Sequence, residues 1–255
     1  MSYIYLIIFF ILGTLMGSFL TVVGLRLPNN EDFIKTKSHC DKCHHNLSFL
    51  DMIPIISYII LRGKCRYCHQ KISNMSTFME LFTGILFALS YYIFKLTPEL
   101  LIAFGIVSML IIISVSDITY YIIPDEVLIF FSGYFIIINT ISHSVIYGFQ
   151  SILSGTCMFF FMYGIMLLGN FIFKKESLGG GDVKIMFVIG LLLHPVLGIF
   201  SIFISSFLAL PVSLLILKLK KQNLIPFGPF LVIGLMFIYF TKIDFHSFID
   251  FIKNI

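Results

Sequence analysis

Charge is scarce in this chain. Only 12% of its 255 residues are Asp, Glu, Lys or Arg, about half the share of an ordinary soluble domain. A disordered chain needs the opposite balance, high charge and few apolar groups, so disorder is excluded. The same balance argues against a soluble enzyme, because 58% of the residues are hydrophobic. Tryptophan is absent while phenylalanine reaches 30, a skew that fits base composition rather than function. The apolar runs lack the polar–apolar alternation of an outer-membrane barrel. The net charge of +4 is not gathered into a basic stripe with interleaved aromatics, so nucleic-acid binding has no support. Polar sequence is concentrated in one insert, residues 28–74, too short to bury a core by itself.

What is present is a series of long apolar runs. A membrane-crossing helix takes about 20 mostly apolar residues. Eight candidate spans follow: Tyr3–Leu27, Ser76–Phe94, Leu100–Ser116, Val127–Asn139, Ile146–Phe173, Val183–His194, Val196–Leu217 and Leu224–Thr241. The fourth and sixth are short. The first has no charged residue before its apolar core and no small-residue cleavage site, so it reads as an anchor and not a signal peptide. The expected fold is therefore an all-α polytopic membrane protein of about eight helices, with a cytoplasmic zinc-binding loop between the first and second. With the amino terminus outside, every basic residue except Lys95, Lys242 and Lys253 lies on the cytoplasmic side, as the positive-inside rule requires. The chain divides into an N-terminal part, 1–95, a membrane core, 96–241, and a tail, 242–255. Phe245, Phe248, Ile249 and Ile252 in the tail recur at helical spacing, which suits a helix lying along the interface as well as a frayed end.

The polar insert holds Cys40-x-x-Cys43 and Cys65-x-x-Cys68. Two such pairs can supply four thiolates to a tetrahedral zinc, and a closed set of four leaves no position for water, so the metal would be structural. A cytoplasmic location keeps thiols reduced and favours metal over disulfide. Disulfides and an empty site are the alternatives. His39, His44, His45 and His69 flank the pairs and would allow a mixed ligand set. Cys157 stands alone in an apolar run and is expected to be buried.

Two acids mark the cytoplasmic ends of spans. Asp117 closes the run from Leu100, and Asp182 follows Gly179-Gly180-Gly181. Acids at such positions are costly and commonly functional. Two carboxylates brought together share a proton, which is the arrangement an aspartyl protease uses. The same two residues also fit a proton-coupled transporter, or a plain helix cap at Asp182 and a hydrated Asp117. Three successive glycines are expected to supply positive φ and a close approach to substrate. Lys184 would bias the charge of Asp182 or touch a peptide carbonyl. Pro124 and Asp125 begin the next span and lie close enough in sequence to support Asp117.

Taken together these motifs resemble the type IV prepilin peptidases, leader peptidase/N-methyltransferases of the Gly-x-Gly-Asp class of membrane aspartyl proteases. The resemblance runs from Gly17-Ser18-Phe19-Leu20 and Arg26-Leu27-Pro28, through Asp51-x-Ile53-Pro54 and Leu61-Arg62-Gly63-Lys64-Cys65, to Asp117 with Pro124-Asp125, Gly179–Lys184, and Pro226-Phe227-Gly228-Pro229-Phe230. Thr21 stands where the family commonly has Asn, and Thr77 where a Pro commonly precedes the acid matching Glu80.

The resemblance implies Asp117 and Asp182 as catalytic residues, with Gly179, Gly181, Lys184, Pro124 and Asp125 in support, and Cys40, Cys43, Cys65 and Cys68 as zinc ligands. It implies a bacterial cytoplasmic (plasma) membrane enzyme whose substrates are prepilins or pseudopilins with short basic leaders, cleaved after glycine at the cytoplasmic face. S-adenosylmethionine-dependent methylation of the new amino terminus would follow, although no glycine-rich nucleotide loop marks a site for that cofactor. Asp51, Glu31, Asp32 and Glu80 are candidates for attracting leader lysines. A small transporter and an inactive assembly protein of the same fold are the competing readings.

Overall fold

A computed structural model of the chain describes residues 2–33, 38–40, 42–43, 45–175, 178–220 and 225–243. It is all helical apart from two isolated β-bridges. The helices are α1 (Ser2–Arg26), a short α2 (Ile56–Ile60), α3 (Asn74–Phe94), α4 (Pro98–Tyr120), α5 (Asp125–Ser142), α6 (Val145–Phe173), α7 (Gly180–Leu192), α8 (Pro195–Lys220) and α9 (Gly228–Thr241). Hydrocarbon leaves no water for backbone groups, so apolar runs of this length close their hydrogen bonds internally as helices. Local signals set the ends. Ser73 and Ser144 accept bonds from the Met75 and Tyr147 N–H groups at 3.3 and 3.1 Å. Pro98 opens α4, where its missing N–H costs nothing.

The chain forms two compact units, Met1–Leu96 and Thr97–Ile255. In the first, α1 lies along α3. A Cβ on Gly13 would come 2.7 Å from the Phe87 Cβ and 2.8 Å from the Gly84 Cα, so small residues set the approach of the two helices. In the second, α4 is the central helix, flanked by α5 and α9, and nearly all of its residues from Leu100 to Asp117 are buried. Helix α7 packs on α6, α5, α9 and α8. It meets α6 backbone to backbone, since a Cβ on Gly190 would sit 2.7 Å from the Gly155 Cα. The Asn139 amide reaches across from α5 and donates to the Leu191 carbonyl at 3.0 Å.

Each of the eight expected spans corresponds to a helix, but among the described residues only six helices are long and apolar enough to cross a membrane. The fourth expected span is extended by Asp125, Glu126 and the residues to Ser142, and qualifies. The sixth and eighth do not: α7 has 13 residues and α9 has 14. At 1.5 Å per residue each rises only about 20 Å, against a hydrocarbon core of about 30 Å. The fold is thus a multi-span helical membrane protein. Its large exposed side chains, such as Phe171 and Phe207, are apolar and suit lipid. Cys157, expected to be buried, is exposed on α6, because that helix presents its apolar face outward. The tail residues Phe245, Phe248, Ile249 and Ile252 lie outside the described residues, as does His44.

Candidate active site and metal centre

Each cysteine pair sits in a tight turn. Before and after the first, Cys40 N–H donates to the His45 carbonyl at 3.0 Å and Leu47 N–H to Ser38 at 2.8 Å. At the second, Cys65 N–H donates to Gln70 at 2.9 Å and Ile72 N–H to Gly63 at 2.9 Å. The turns bring Cys40, Cys43, Cys65 and Cys68 together with all four sulfurs within 4.8 Å of one another. The Cys40 and Cys68 sulfurs are 3.9 Å apart. A tetrahedron with Zn–S of about 2.3 Å has edges of about 3.8 Å, so the cluster has the size of a four-thiolate metal site. Backbone N–H groups of Cys43 and Lys42 draw the Cys40 thiol down to about 7. At Cys68 the Gln70 N–H favours the thiolate, but burial and the neighbouring thiols outweigh it and push that thiol up to about 11. Four crowded sulfurs resist joint ionisation, and a divalent cation is the charge that would relieve them. His39, His45 and His69 are exposed and outside the cluster.

The segment between the pairs is held by two acids. Asp51 accepts from the Ser48 N–H and hydroxyl at 3.1 and 2.7 Å and from Arg66 Nε at 2.6 Å. Burial opposes its ionisation, yet the Ser48 and Arg66 contacts prevail and hold the carboxyl below its ordinary range. Glu80, buried on α3, accepts the Ile55 N–H at 2.9 Å, and the Ser18 side chain hydrogen-bonds the same carboxylate. Ile55 follows Pro54 with φ 61°, a costly conformation for a β-branched residue. Asp51 and Glu80 are therefore spent on internal contacts. Of the four acids considered for leader lysines, Glu31 and Asp32 are the exposed ones.

In the second unit, α4 delivers Asp117 in its last turn and α7 delivers Asp182 in its first. Both side chains are buried, and their carboxyl groups lie close enough to interact electrostatically. Asp182 is not the helix cap. Gly179 occupies that position, with φ −69°, and accepts the Asp182 N–H at 3.1 Å. Nor is Asp117 left in solvent: its Oδ2 accepts the Gly228 N–H at 3.1 Å. Tyr121, at φ 57°, donates its N–H back to the Asp117 carbonyl and ends α4. The Ser116 hydroxyl donates to the Ile122 carbonyl and folds the α4–α5 turn under the pair.

The glycines work by size. Among the described glycines only Gly63 has positive φ, so the expected left-handed turn at Gly179–Gly181 is not found. Gly180 and Gly181 are helical. A Cβ on Gly181 would lie 2.9 Å from the Ile123 Cδ1, and one on Gly228 3.0 Å from the same atom and 3.1 Å from the Asp117 Oδ2. Ile123 is thus a wedge where the α4–α5 turn, the start of α7 and the start of α9 meet.

Pro124 is buried at the N-cap of α5. Lys184 turns away from Asp182 and donates to both oxygens of Asp125 at 2.7 Å, linking the first turns of α5 and α7. Neither Ile123, Ser116 nor Gly228 is marked by sequence as part of this site. The only available signal was the Pro226–Phe230 motif, which carries no titratable group.

Comparison with known proteins matches both units. Residues 11–94 match the family described as bacterial peptidase A24 N-terminal domain, and residues 104–214 match the type IV leader peptidase family. A prepilin leader peptidase/N-methyltransferase of Bacillus subtilis is 32% identical over 240 residues, covering 91% of this chain and 92% of that protein. Proteins of the same name in Vibrio cholerae and Neisseria gonorrhoeae are 28% and 29% identical, covering 94% and 92% of this chain and 98% and 89% of theirs. No solved structure matches the chain. The buried aspartate pair and the four-cysteine cluster thus occur in a chain that belongs to the type IV leader peptidase family.

Proposed function

We propose that this protein is a membrane aspartyl endopeptidase that removes the short basic leader of type IV prepilins or pseudopilins, cutting after glycine at the cytoplasmic face. The supporting observation is that two buried carboxyls on separate helices, Asp117 and Asp182, are carried by segments that converge on Ile123, against which both Gly181 and Gly228 pack. Like charges at short range are relieved when the pair holds one proton. The ionised carboxyl takes a proton from a water lying between the two. The protonated one donates to the scissile carbonyl oxygen as the water oxygen bonds to carbon. The tetrahedral carbon then collapses: one of its hydroxyls returns a proton to the carboxylate that had donated, the C–N bond breaks, and the leaving amine takes up the proton drawn from water. Gly181 lets the start of α7 approach Ile123, Pro124 opens α5 beside it, and Gly179 caps α7 next to Asp182. The Lys184–Asp125 pair ties α5 to α7 beside it.

The basic residues suit an amino terminus outside and the cysteine loop inside. A positive leader then stays in the cytoplasm, and the apolar segment after it lies in the bilayer. We read α7 and α9 as completing eight crossings, their short length accommodated by burial among neighbours. Unit 1 is the methylation-associated part and unit 2 the protease core. Cys40, Cys43, Cys65 and Cys68 would hold a zinc ion that staples a loop with little core of its own. The relatives' shared name supports S-adenosylmethionine-dependent methylation of the new amino terminus. The test is to incubate the purified protein in lipid with a full-length prepilin, with and without S-adenosylmethionine, and read product masses. Leader loss in the wild type and none in Asp117→Asn or Asp182→Asn is the expected result. Normal cleavage by either variant rejects the aspartyl mechanism, and leader loss without a methyl increment rejects the second activity.

A further inference from the structure

The start of α9 spends its backbone donors in an unusual way. The first N–H groups of a helix have no partner inside it. Here Pro229 has no N–H to offer. Phe230 and Leu231 donate back to the Phe227 carbonyl at 3.0 and 3.2 Å. One donor of the first turn, the Gly228 N–H, remains for a group outside the helix, and it goes to the Asp117 Oδ2 at 3.1 Å in a buried setting. The helix dipole adds its positive end at the same place. A side chain would be tight at that position, because a Cβ would lie 3.0 Å from Ile123 Cδ1 and 3.1 Å from both the Asp117 oxygen and Ile113 Cγ2, so these neighbours would have to give way. The sequence Phe227-Gly228-Pro229 therefore leaves one backbone donor and clears the space through which it reaches a carboxylate.

We infer that Gly228 is a positioning residue of the protease site: its N–H fixes the orientation of the Asp117 carboxyl, making α9 the third element of the dyad. The inference rests on the aspartyl protease reading. It differs from a packing role for Gly228 in requiring the donor itself.

An ester in place of the Phe227–Gly228 amide removes the N–H without adding bulk, and this Gly228→glycolate change can be made by nonsense suppression during cell-free synthesis into lipid. The control is the same change at Gly234, in the middle of α9, which weakens the helix comparably but is remote from Asp117. With a prepilin substrate, kcat should fall about 100-fold at position 228, the usual scale for losing one preorganised donor. KM should stay within about threefold of wild type, and the Gly234 ester should cleave normally. Gly228→Ala, which keeps the N–H but displaces it, should also lower kcat by at least about tenfold with KM held.

Equal losses at 228 and 234, or wild-type kcat in the 228 ester, overturn the inference. Asp117→Asn separates the two levels. If it cleaves normally the protease reading fails, whereas if it is inactive while the 228 ester is normal, only the role of Gly228 fails.

Discussion

The three glycines before Asp182 are equivalent in sequence and unequal in space, which gives a sharp prediction. At Gly180 an added Cβ meets nothing within 4 Å, at Gly179 it makes an ordinary 3.4 Å contact with the Asp182 Oδ2, and at Gly181 it lies 2.9 Å from Ile123 Cδ1 and 3.0 Å from Ile123 Cβ. Carbon atoms pack comfortably at about 3.5–4.0 Å. Gly181→Ala must therefore move Ile123 or the start of α7 by roughly 0.5–1 Å. The movement cannot be taken up by a flexible side-chain end alone, because the Ile123 Cβ is fixed to the backbone that leads into Pro124. Overpacking of this kind costs about 1–3 kcal/mol, and a displacement near 1 Å at reacting groups costs on the order of 100-fold in rate.

Gly180→Ala should instead gain about 0.5–1 kcal/mol from helix propensity and cleave at the wild-type rate. The assay is prepilin cleavage in lipid at equal amounts of folded protein, with thermal unfolding followed in parallel. A wild-type rate for Gly181→Ala, or equal losses for the 180 and 181 variants, would refute the steric argument and return the motif to a role in backbone freedom.

Three further outcomes are expected. Cys40→Ser and Cys65→Ser should each remove zinc from the purified protein and expose the 48–60 segment to limited proteolysis, and unchanged zinc by mass spectrometry would reject the four-thiolate site. Glu80→Leu should leave the Ile55 N–H without its acceptor, costing about 1–3 kcal/mol, and should release the same segment to protease while cleavage by unit 2 persists. Glu80→Gln, which keeps an acceptor, should lie between. In intact cells a membrane-impermeant maleimide should label His143→Cys and spare Gly180→Cys until permeabilisation, and the reverse pattern would invert the proposed topology.

What could be read from sequence was local or repeated. The apolar runs announce helices because each closes its own backbone bonds, and the cysteine pairs announce a cluster because two turns suffice to build it. Sequence and structure part where helix geometry intervenes. Lys184 stands two residues after Asp182, which suggests a shared site. Two residues on a helix are about 200° apart, so the lysine points to Asp125 on α5. The glycine run suggested positive φ, but two of its members lie inside α7, where their small size serves the packing of Ile123. Asp51 and Glu80 look like free acids in sequence, and the partners that occupy them, Arg66 and the Ile55 backbone, sit 15 and 25 residues away. Gly228 was the least legible, since a backbone donor 111 residues from its acceptor has no side-chain signature at all.

The two short apolar helices of unit 2, α7 and α9, both begin beside the aspartates. Asp182 lies in the first turn of α7, Gly228 is the first residue of α9, and both meet the last turn of α4. A helix as long as the membrane is thick would carry such an end into the headgroups, where water screens a carboxylate pair. A shorter helix starts below that level if its flanks are covered, and α7 is covered: its residues from Asp182 to Leu191 are mostly buried against α5, α6, α8 and α9. Hydrophobic mismatch is thereby shifted from lipid to protein, where neighbouring helices such as α6, with 29 residues, reach beyond it. Both aspartates are thereby covered by protein at the ends of their helices. Lengthening α7 at its start should therefore impair catalysis more than stability.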